Sequence, residues 1–188
     1  IVNFKLHLNG MFSVYNCLAS IAVGILNNID MFTIKEALEN TRSVAGRFEI
    51  VNTNPMVIVD YAHTPNGISK MLDFVDVLEH NKIIVVIGQA GERDAYKRKD
   101  VGFVVATKSD LAIFTTEDPR GEDAKDIIDM MCENIKDRNN YEIILDRRLA
   151  IKHAIDIAEK GDIVLILGKG DETYQKLKTG KIYFNDEE

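Results

Sequence analysis

Four short polar segments of this 188-residue chain combine residue types that could bind a ligand or transfer a proton. They are 60–65 (DYAHTP), 88–94 (GQAGERD), 116–120 (TEDPR) and 168–172 (GKGDE). Carboxylates accept hydrogen bonds from hydroxyl and ammonium groups, cationic side chains bind carboxylates and phosphates, and glycine lets backbone N–H groups approach a ligand closely. Each segment alone is a weak signal, but together they predict a ligand-binding cleft.

The first segment offers an acid and a base three residues apart. Asp60 could accept hydrogen bonds from a ribose or a metal-bound water, or it could simply cap a turn. His63 could contact a phosphate when protonated, or orient a neighbouring group when neutral. Pro65 is suited to the first turn of a helix, whose N-terminus attracts anions.

The other segments could recognise a charged small molecule. Arg93 is a candidate bidentate partner for a carboxylate or phosphate, or part of a solvated helix start. Asp118 and Arg120 could bind a zwitterion through its ammonium and carboxylate groups, although they could equally be a helix cap with surface charges. Glu172 could meet a ligand amine and Lys169 a phosphate, but the chain contains no GxxxxGK[ST] phosphate loop.

The elements that must position these segments are predicted from the apolar pattern. Runs rich in Ile and Val, without polar alternation, indicate strands buried on both faces of a parallel sheet. They alternate with helical segments, so we predict an α/β fold with a Rossmann-like, doubly wound, mostly parallel sheet. Ligands bind beyond the carboxyl ends of such strands. The predicted strands are 56–59, 83–87, 111–115, 142–145 and 163–167, a further edge strand could lie at 181–184, and the helices are 66–79, 96–108, 122–137 and 147–160.

The first part of the chain has a different pattern. Residues 1–8 alternate between apolar and polar, which predicts a half-buried strand. Apolar spacing predicts a helix over 12–27, and Thr33, with Glu36 in capping-box position, predicts a shorter helix ending near Asn40. We place a domain boundary near 43–46, which gives domains of 1–45 and 46–188.

Composition excludes several classes of protein. The net charge of −7 argues against nonspecific binding to nucleic acid or anionic membranes. Cys17 and Cys132 form no CxxC motif and no His/Cys cluster, so we expect buried, reduced thiols in a cytoplasmic protein and no metal centre. No signal peptide or membrane span is predicted. Because the sequence starts at Ile1, without a Met, we expect a processed or truncated chain or a fragment of a longer one.

Six motifs occur along the chain in the order NGMFSVYNCLASIAVG, AGRFEIV, VIVDYAHTPNGI, VIGQAGERDAYKR, TTEDPRGED and GKGDETYQ. Their order and spacing resemble those of the Mur ligases, and are most similar to the MurE group, which adds the third amino acid of the peptidoglycan stem. The resemblance covers essentially the whole chain. It implies that 1–45 is the tail of a central ATP-binding domain and 46–188 a C-terminal amino-acid-binding domain.

The resemblance also implies a reaction. ATP with Mg²⁺ phosphorylates a substrate carboxylate to an acyl phosphate, which the incoming amine attacks to form an amide. The implied substrates are UDP-N-acetylmuramoyl-dipeptide and a diamino acid such as meso-diaminopimelate. The enzyme is expected to be a monomer and to act in peptidoglycan biosynthesis, which maintains cell shape and division. Since the phosphate loop and metal ligands of the family would precede Ile1, we expect these 188 residues to be inactive alone.

Site residues follow from the same resemblance. On the nucleotide side, the family residues at the base, near the phosphates and at the ribose match Asn16, Arg47 and Asp60. His63 lies in the same motif as Asp60. Arg47 and His63 are the candidate catalytic residues. Those holding the incoming amino acid match Arg93, Asp118, Arg120, Gly168 and Glu172.

The chain departs from the family pattern at two acidic positions. Asp118 replaces the Asn of the usual DNPR, and Asp171 replaces the His of the usual GKGHE. The added charge at Asp118 favours an amine, whereas Arg120 favours a carboxylate, so the two indications conflict over the amino acid. Alternatives are a related ligase that extends polyglutamate on folate or builds cyanophycin, and a noncatalytic ligand-binding module.

Overall fold

The computed structural model describes residues 1–188, which divide into two compact units, Ile1–Val44 and Ala45–Glu188. Unit 1 contains helices α1 (Met11–Leu26) and α2 (Met31–Asn40), so both predicted helices are confirmed. The predicted cap is wrong, because α2 begins one turn earlier. Asp30 is its N-cap and accepts hydrogen bonds from the backbone N–H groups of Phe32 and Thr33.

The strand predicted for residues 1–8 is also wrong, since none of them lies in a strand. A strand needs a neighbouring strand for its backbone hydrogen bonds, and unit 1 contains no other. The segment instead contacts α2. The backbone N–H of Lys5 donates to Glu39 at 2.7 Å, and Lys35 donates to the carbonyl of Asn3.

Unit 2 is built on a six-stranded sheet in the order β1-β2-β6-β3-β4-β5. All neighbouring pairs are parallel except β1 and β2, so the predicted mostly parallel α/β sheet is confirmed. Its strands are β1 (Glu49–Thr53), β2 (Met56–Asp60), β3 (Ile83–Ile87), β4 (Leu111–Phe114), β5 (Tyr141–Ile143) and β6 (Ile163–Leu167). Its helices are α3 (Pro65–Asp76), α4 (Lys97–Lys108), α5 (Ala124–Met131) and α6 (Arg147–Ile157).

The apolar runs predicted the central strands well. Every residue of β3 and β6 is buried, and both strands have the predicted bounds. β1 was missed because it carries little apolar signal, being an edge strand with four of its five residues exposed. The predicted strand at 181–184 corresponds to β8 (Gly180–Tyr183), which pairs with β7 (Tyr174–Leu177) in a separate hairpin and not with the main sheet.

The sheet order places the four polar loops side by side. β6 lies between β2 and β3, and β4 lies beside β3, so four carboxyl ends are adjacent along one edge. The loops that follow these strands are the four polar segments. No helix is long and apolar enough to cross a membrane.

Candidate functional site

Backbone contacts bind the four loops to one another. The N–H of Gly168 donates to the carbonyl of Asp60 at 3.1 Å. The N–H of Gly91 donates to the carbonyl of Asp118 at 2.8 Å, and that of Arg120 donates to Lys176 of β7 at 2.9 Å. The structure therefore brings together the loops that the sequence predicted to form a cleft.

Two glycines permit the closest of these approaches. A Cβ on Gly91 would lie 2.0 Å from the carbonyl oxygen of Pro119, and one on Gly88 would lie 2.5 Å from that of Thr115. Any side chain at either position would force the loop after β3 away from the loop after β4. The GxxG pattern of this chain thus serves loop-to-loop packing.

A buried lysine lies at the centre of the site. Lys169 is 0% exposed, and its Nζ lies 2.9 Å from Asp118 Oδ1 and 2.9 Å from Glu172 Oε2. Burial by itself would lower the pKa of Lys169, but the hydrogen bonds that it donates to Glu172 and Asp118 outweigh this effect and hold that pKa above its usual value. Lys169 is therefore an ammonium ion that offsets one of the two negative charges of Asp118 and Glu172 from within the protein, and it is not open to an external phosphate.

Glu117 adds a further buried carboxyl group. Its Oε2 is shielded from solvent without a hydrogen-bond partner, and a Cβ on Gly168 would lie 2.7 Å from it. Burial raises the pKa of Glu117 to about 7, against the attraction of Arg147 and Lys169. Near neutral pH this group is therefore partly protonated.

A second buried ion pair supports the same edge of the sheet. Arg147, the first residue of α6, donates from Nε and Nη2 to the carboxylate of Asp186 at 2.7 and 2.6 Å. It also donates to the carbonyl of Leu167 at 3.0 Å, and both side chains of the pair are 0% exposed. Sequence reasoning did not single out Arg147. The available signal was its position in the polar segment that follows β5.

The side chains of the two arginines predicted to bind a ligand are not paired with other groups of the protein. Arg93 is exposed and its side chain makes no hydrogen bond or ion pair. Arg120 has a left-handed backbone, with φ 54°, and its shielded Nε has no partner. Both guanidinium groups are therefore available to an anionic ligand, in contrast to Asp118, which is held by Lys169.

The segment at the end of β2 forms a stacked cluster. The guanidinium of Arg47 lies 4.5 Å from the ring centre of Tyr61, and that ring lies 5.0 Å from His63 in an edge-to-face arrangement. The His63 ring contacts the carbonyl of Tyr61 through Nδ1 at 3.0 Å. Gln89, buried and not predicted, donates to the His63 carbonyl at 3.2 Å and so joins this loop to the loop after β3.

Asp60 accepts hydrogen bonds from its own loop and from the segment before β1. It is 5% exposed, and its two oxygens accept the backbone N–H groups of Phe48 and Ala62 at 2.8 and 2.7 Å. Burial raises its pKa, against these hydrogen bonds and the nearby Arg47. Each oxygen keeps a lone pair for another donor. Asn16, the remaining predicted site residue, is an exposed residue of α1 in unit 1.

Comparison with known proteins agrees with this architecture. A family model described as Mur ligase, glutamate ligase domain, matches residues 46–170. The UDP-N-acetylmuramoyl-L-alanyl-D-glutamate–2,6-diaminopimelate ligase of Clostridium botulinum is 43% identical over 187 residues, which are 97% of this chain and 38% of that protein. The chain belongs to the Mur ligase family. The enzyme of the same name from Halalkalibacterium halodurans is 41% identical, over 98% of this chain and 38% of its own length.

Solved Mur ligase structures show the same fold. A structure of UDP-N-acetylmuramoyl-L-alanyl-D-glutamate–2,6-diaminopimelate ligase superposes with a TM-score of 0.74 at 30% identity, covering 97% of this chain and 38% of the other. A pseudomurein peptide ligase type C from Methanothermus fervidus superposes with a TM-score of 0.69 at 24% identity, over 89% of this chain and 35% of the other, which shows the fold alone. This Mur ligase chain spans well under half the length of the relatives that it matches.

Proposed function

We propose that unit 2 is the amino-acid-binding part of an ATP-dependent amide ligase that adds 2,6-diaminopimelate to UDP-N-acetylmuramoyl-dipeptide in peptidoglycan synthesis. The observation that carries this proposal is the internal pairing of Lys169 with Asp118 and Glu172. Because Lys169 offsets one of the two negative charges of Asp118 and Glu172, the unpaired guanidinium groups of Arg93 and Arg120 give the proposed pocket a net positive charge. A pocket of this kind favours an amino acid whose side chain ends in a carboxylate.

The same pairing supports the indication from Arg120 over that from Asp118. Asp118 is occupied by Lys169, so its charge does not select an amine from the ligand. Glu172 uses only Oε2 for Lys169, and its side chain is 29% exposed, so Oε1 can accept a ligand ammonium. Diaminopimelate carries a carboxylate and an ammonium at its distal carbon and would match both. Lysine has no distal carboxylate and would leave the two arginines unmatched.

The nucleotide is proposed to bind at the end of β2. Arg47 is an exposed cation without a carboxylate partner, so it fits a phosphate group. Asp60 retains acceptor capacity for a ribose hydroxyl, and His63 lies in the loop that follows it. ATP would supply the phosphoryl group that activates the substrate carboxylate. No cluster of His, Cys, Asp or Glu in the structure suits a metal ion, so none of the 188 residues is assigned to Mg²⁺.

An amino-acid panel tests this proposal. A ligase of the relatives' full length that carries these 188 residues is supplied with UDP-N-acetylmuramoyl-dipeptide, Mg-ATP and either meso-diaminopimelate, lysine or ornithine. We expect kcat/KM for diaminopimelate to exceed that for lysine by about a hundredfold or more, since a site built for a polar group rejects a substrate that lacks it. A preference for lysine or ornithine would contradict the proposal.

A matched pair of arginine variants makes the test specific. Arg120→Ala is expected to raise KM for diaminopimelate by about a hundredfold, because a charge-assisted bidentate contact is lost. Arg148→Ala removes an exposed arginine that lies over Phe184, outside the proposed pocket, and should leave KM unchanged. Equal effects of the two changes would mean that Arg120 does not bind the substrate.

The 188 residues alone are expected to be inactive, because they contain no phosphate loop motif. We further propose that the complete enzyme is a cytoplasmic monomer that uses neither nucleic acid nor membrane as a partner. Phosphate release by the purified 188-residue chain, given Mg-ATP and both substrates, would contradict the first expectation.

A further inference from the structure

Arg98 is a large charged side chain that is 1% exposed, although nothing in the proposed reaction uses it. It is the second residue of α4, in unit 2. Burying a guanidinium group is costly unless its charge and its hydrogen-bond donors are matched. Its partners therefore indicate what the burial achieves.

Apart from Met130 Sδ of α5, which lies 3.2 Å from Arg98 Nη1, those partners belong to the two loops that carry Arg93 and Arg120. Arg98 Nη1 and Nη2 donate to the two carboxylate oxygens of Glu122 at 2.7 and 3.0 Å, and Nη2 also donates to the carbonyl of Ala90 at 3.2 Å. Ala90 lies in the loop after β3, three residues before Arg93. Glu122 lies in the segment after β4, two residues beyond Arg120. A single guanidinium fork thus holds both loops.

Further bonds couple the two loops directly. The backbone N–H of Glu92 donates to Glu122 Oε1, and the backbone N–H of Gly121 donates to Glu92 Oε1 at 3.2 Å. Each glutamate thus accepts a backbone hydrogen bond from the other loop. Together with the hydrogen bond from Gly91 to Asp118 described above, these contacts hold the two loops in a fixed position relative to each other.

The backbone at the two arginines needs such support. Glu92, next to Arg93, has φ 55°, and Arg120 itself has φ 54°. A left-handed conformation costs a non-glycine residue about 1 kcal/mol or more and persists where surrounding contacts enforce it. The direction in which Arg93 and Arg120 leave their loops therefore depends on these contacts.

We propose that the Arg98–Glu122 pair is a positioning device that holds Arg93 and Arg120 in register, so that both guanidinium groups meet the same carboxylate of the incoming amino acid. The inference rests on the proposed function of the pocket. The pair is also insensitive to ordinary changes of pH, because the hydrogen bonds from Arg98 lower the pKa of Glu122 to about 2. Neither residue touches the substrate.

The test compares Michaelis constants in the full-length ligase. Arg98→Lys keeps the charge but loses the fork, and Glu122→Gln keeps the shape but loses the charge. Both are expected to raise KM for diaminopimelate by about tenfold or more, with KM for ATP and for UDP-N-acetylmuramoyl-dipeptide within about twofold of the unchanged enzyme. Arg98→Lys combined with Glu122→Gln should be no worse than the more damaging single change, because the two residues act as one unit.

Arg138→Lys is the matched control. Arg138 also bonds across elements, donating to the carbonyl of Ala106 at 3.1 Å and to Thr107 Oγ1 at 3.0 Å, but it contacts neither loop. It should leave all three KM values unchanged. If Arg98→Lys fails to fold, Glu92→Gln, at an exposed position, weakens the same coupling and should raise only KM for diaminopimelate, by a smaller factor.

Two outcomes would overturn the inference. KM for diaminopimelate could stay unchanged in the folded variants, or all three KM values and the active fraction could change together, which would indicate a purely structural role. Failure of the proposed function is distinguishable, since the unaltered enzyme would then not use diaminopimelate at all.

Discussion

At the scale of single residues, the identity of a charged side chain did not reveal its task. Asp118 pairs with Lys169, which is 51 positions away in sequence, and this contact converts an apparent amine-binding acid into one half of an internal ion pair. The sequence showed that the loops carried charge. It could not show which charges cancel inside the protein, because that depends on which residues the sheet order brings within hydrogen-bond distance.

Replacing Lys169 tests this internal neutralisation. Lys169→Met leaves Asp118 and Glu172 facing each other without a cation, so we expect a loss of about 3 kcal/mol in the free energy of unfolding at pH 7. Adding Asp118→Asn to Lys169→Met should recover part of that loss, since one uncompensated charge is removed. Urea denaturation of the purified chain measures both values, and a double variant no more stable than Lys169→Met would refute this account.

Glu117 should make stability depend on pH. Its folded-state pKa of about 7 lies above the ordinary value of 4.5, so the folded state binds the proton more tightly than the unfolded state. Stability contributed by the protonated form is complete below about pH 4.5 and is lost as pH rises through 7, by about 3 kcal/mol in total. Glu117→Gln cannot ionise and should therefore gain stability relative to the unaltered chain between pH 5 and pH 8.

Urea denaturation at pH 5 and pH 8 measures this difference. Glu133→Gln, at an exposed position, serves as the control and should show the same pH dependence as the unaltered chain. An identical pH dependence for Glu117→Gln would mean that Glu117 is not held in its protonated form.

At the scale of elements, prediction succeeded where burial on both sides left a continuous apolar run. β3 and β6 were predicted to the residue for this reason, whereas the exposed edge strand β1 was not found. The prediction of a strand at 1–8 was wrong. Alternation of apolar and polar residues indicates which face of a strand is buried, but it does not supply the neighbouring strand that the backbone hydrogen bonds need. The hairpin of β7 and β8 was only half recognised, since its pairing is local and its strands are partly exposed.

The packing of α4 against α5 rests on one glycine and gives a prediction at this scale. A Cβ on Gly102 would lie 1.9 Å from the carbonyl oxygen of Met131, at the end of α5. Gly102→Ala would normally favour a helix by about 1 kcal/mol, but here we expect a net destabilisation of about 2 kcal/mol because the helices must separate. Lys99→Ala, on the exposed face of α4, should be nearly neutral by thermal denaturation. A stabilised Gly102→Ala variant would show that the helices are not in close contact.

At the scale of the molecule, unit 2 contains its own sheet and core. Residues of β2, β3, β4 and β6 pack with α6 around a buried cluster without any contribution from residues 1–44. We therefore expect residues 45–188, expressed alone, to unfold cooperatively with a Tm within about 5 °C of the whole chain. Calorimetry of both chains tests this. A non-cooperative transition in the shorter chain would show that unit 2 depends on unit 1.

The position of β6 has a consequence for how the protein is made. The hairpin of β1 and β2 is synthesised first, yet β2 pairs with β3 only through β6, which is the last strand of the sheet to leave the ribosome. Until residues 163–167 emerge, the sheet consists of two separate parts, β1 with β2 and β3 with β4 and β5. The edges at which β6 will pair are then exposed and open to pairing with a wrong strand. The buried ion pair between Arg147 and Asp186 forms later still, because Asp186 follows β6 in the sequence. Vectorial synthesis thus delays completion of the sheet edge that carries the four polar loops until β6 and Asp186 have been synthesised.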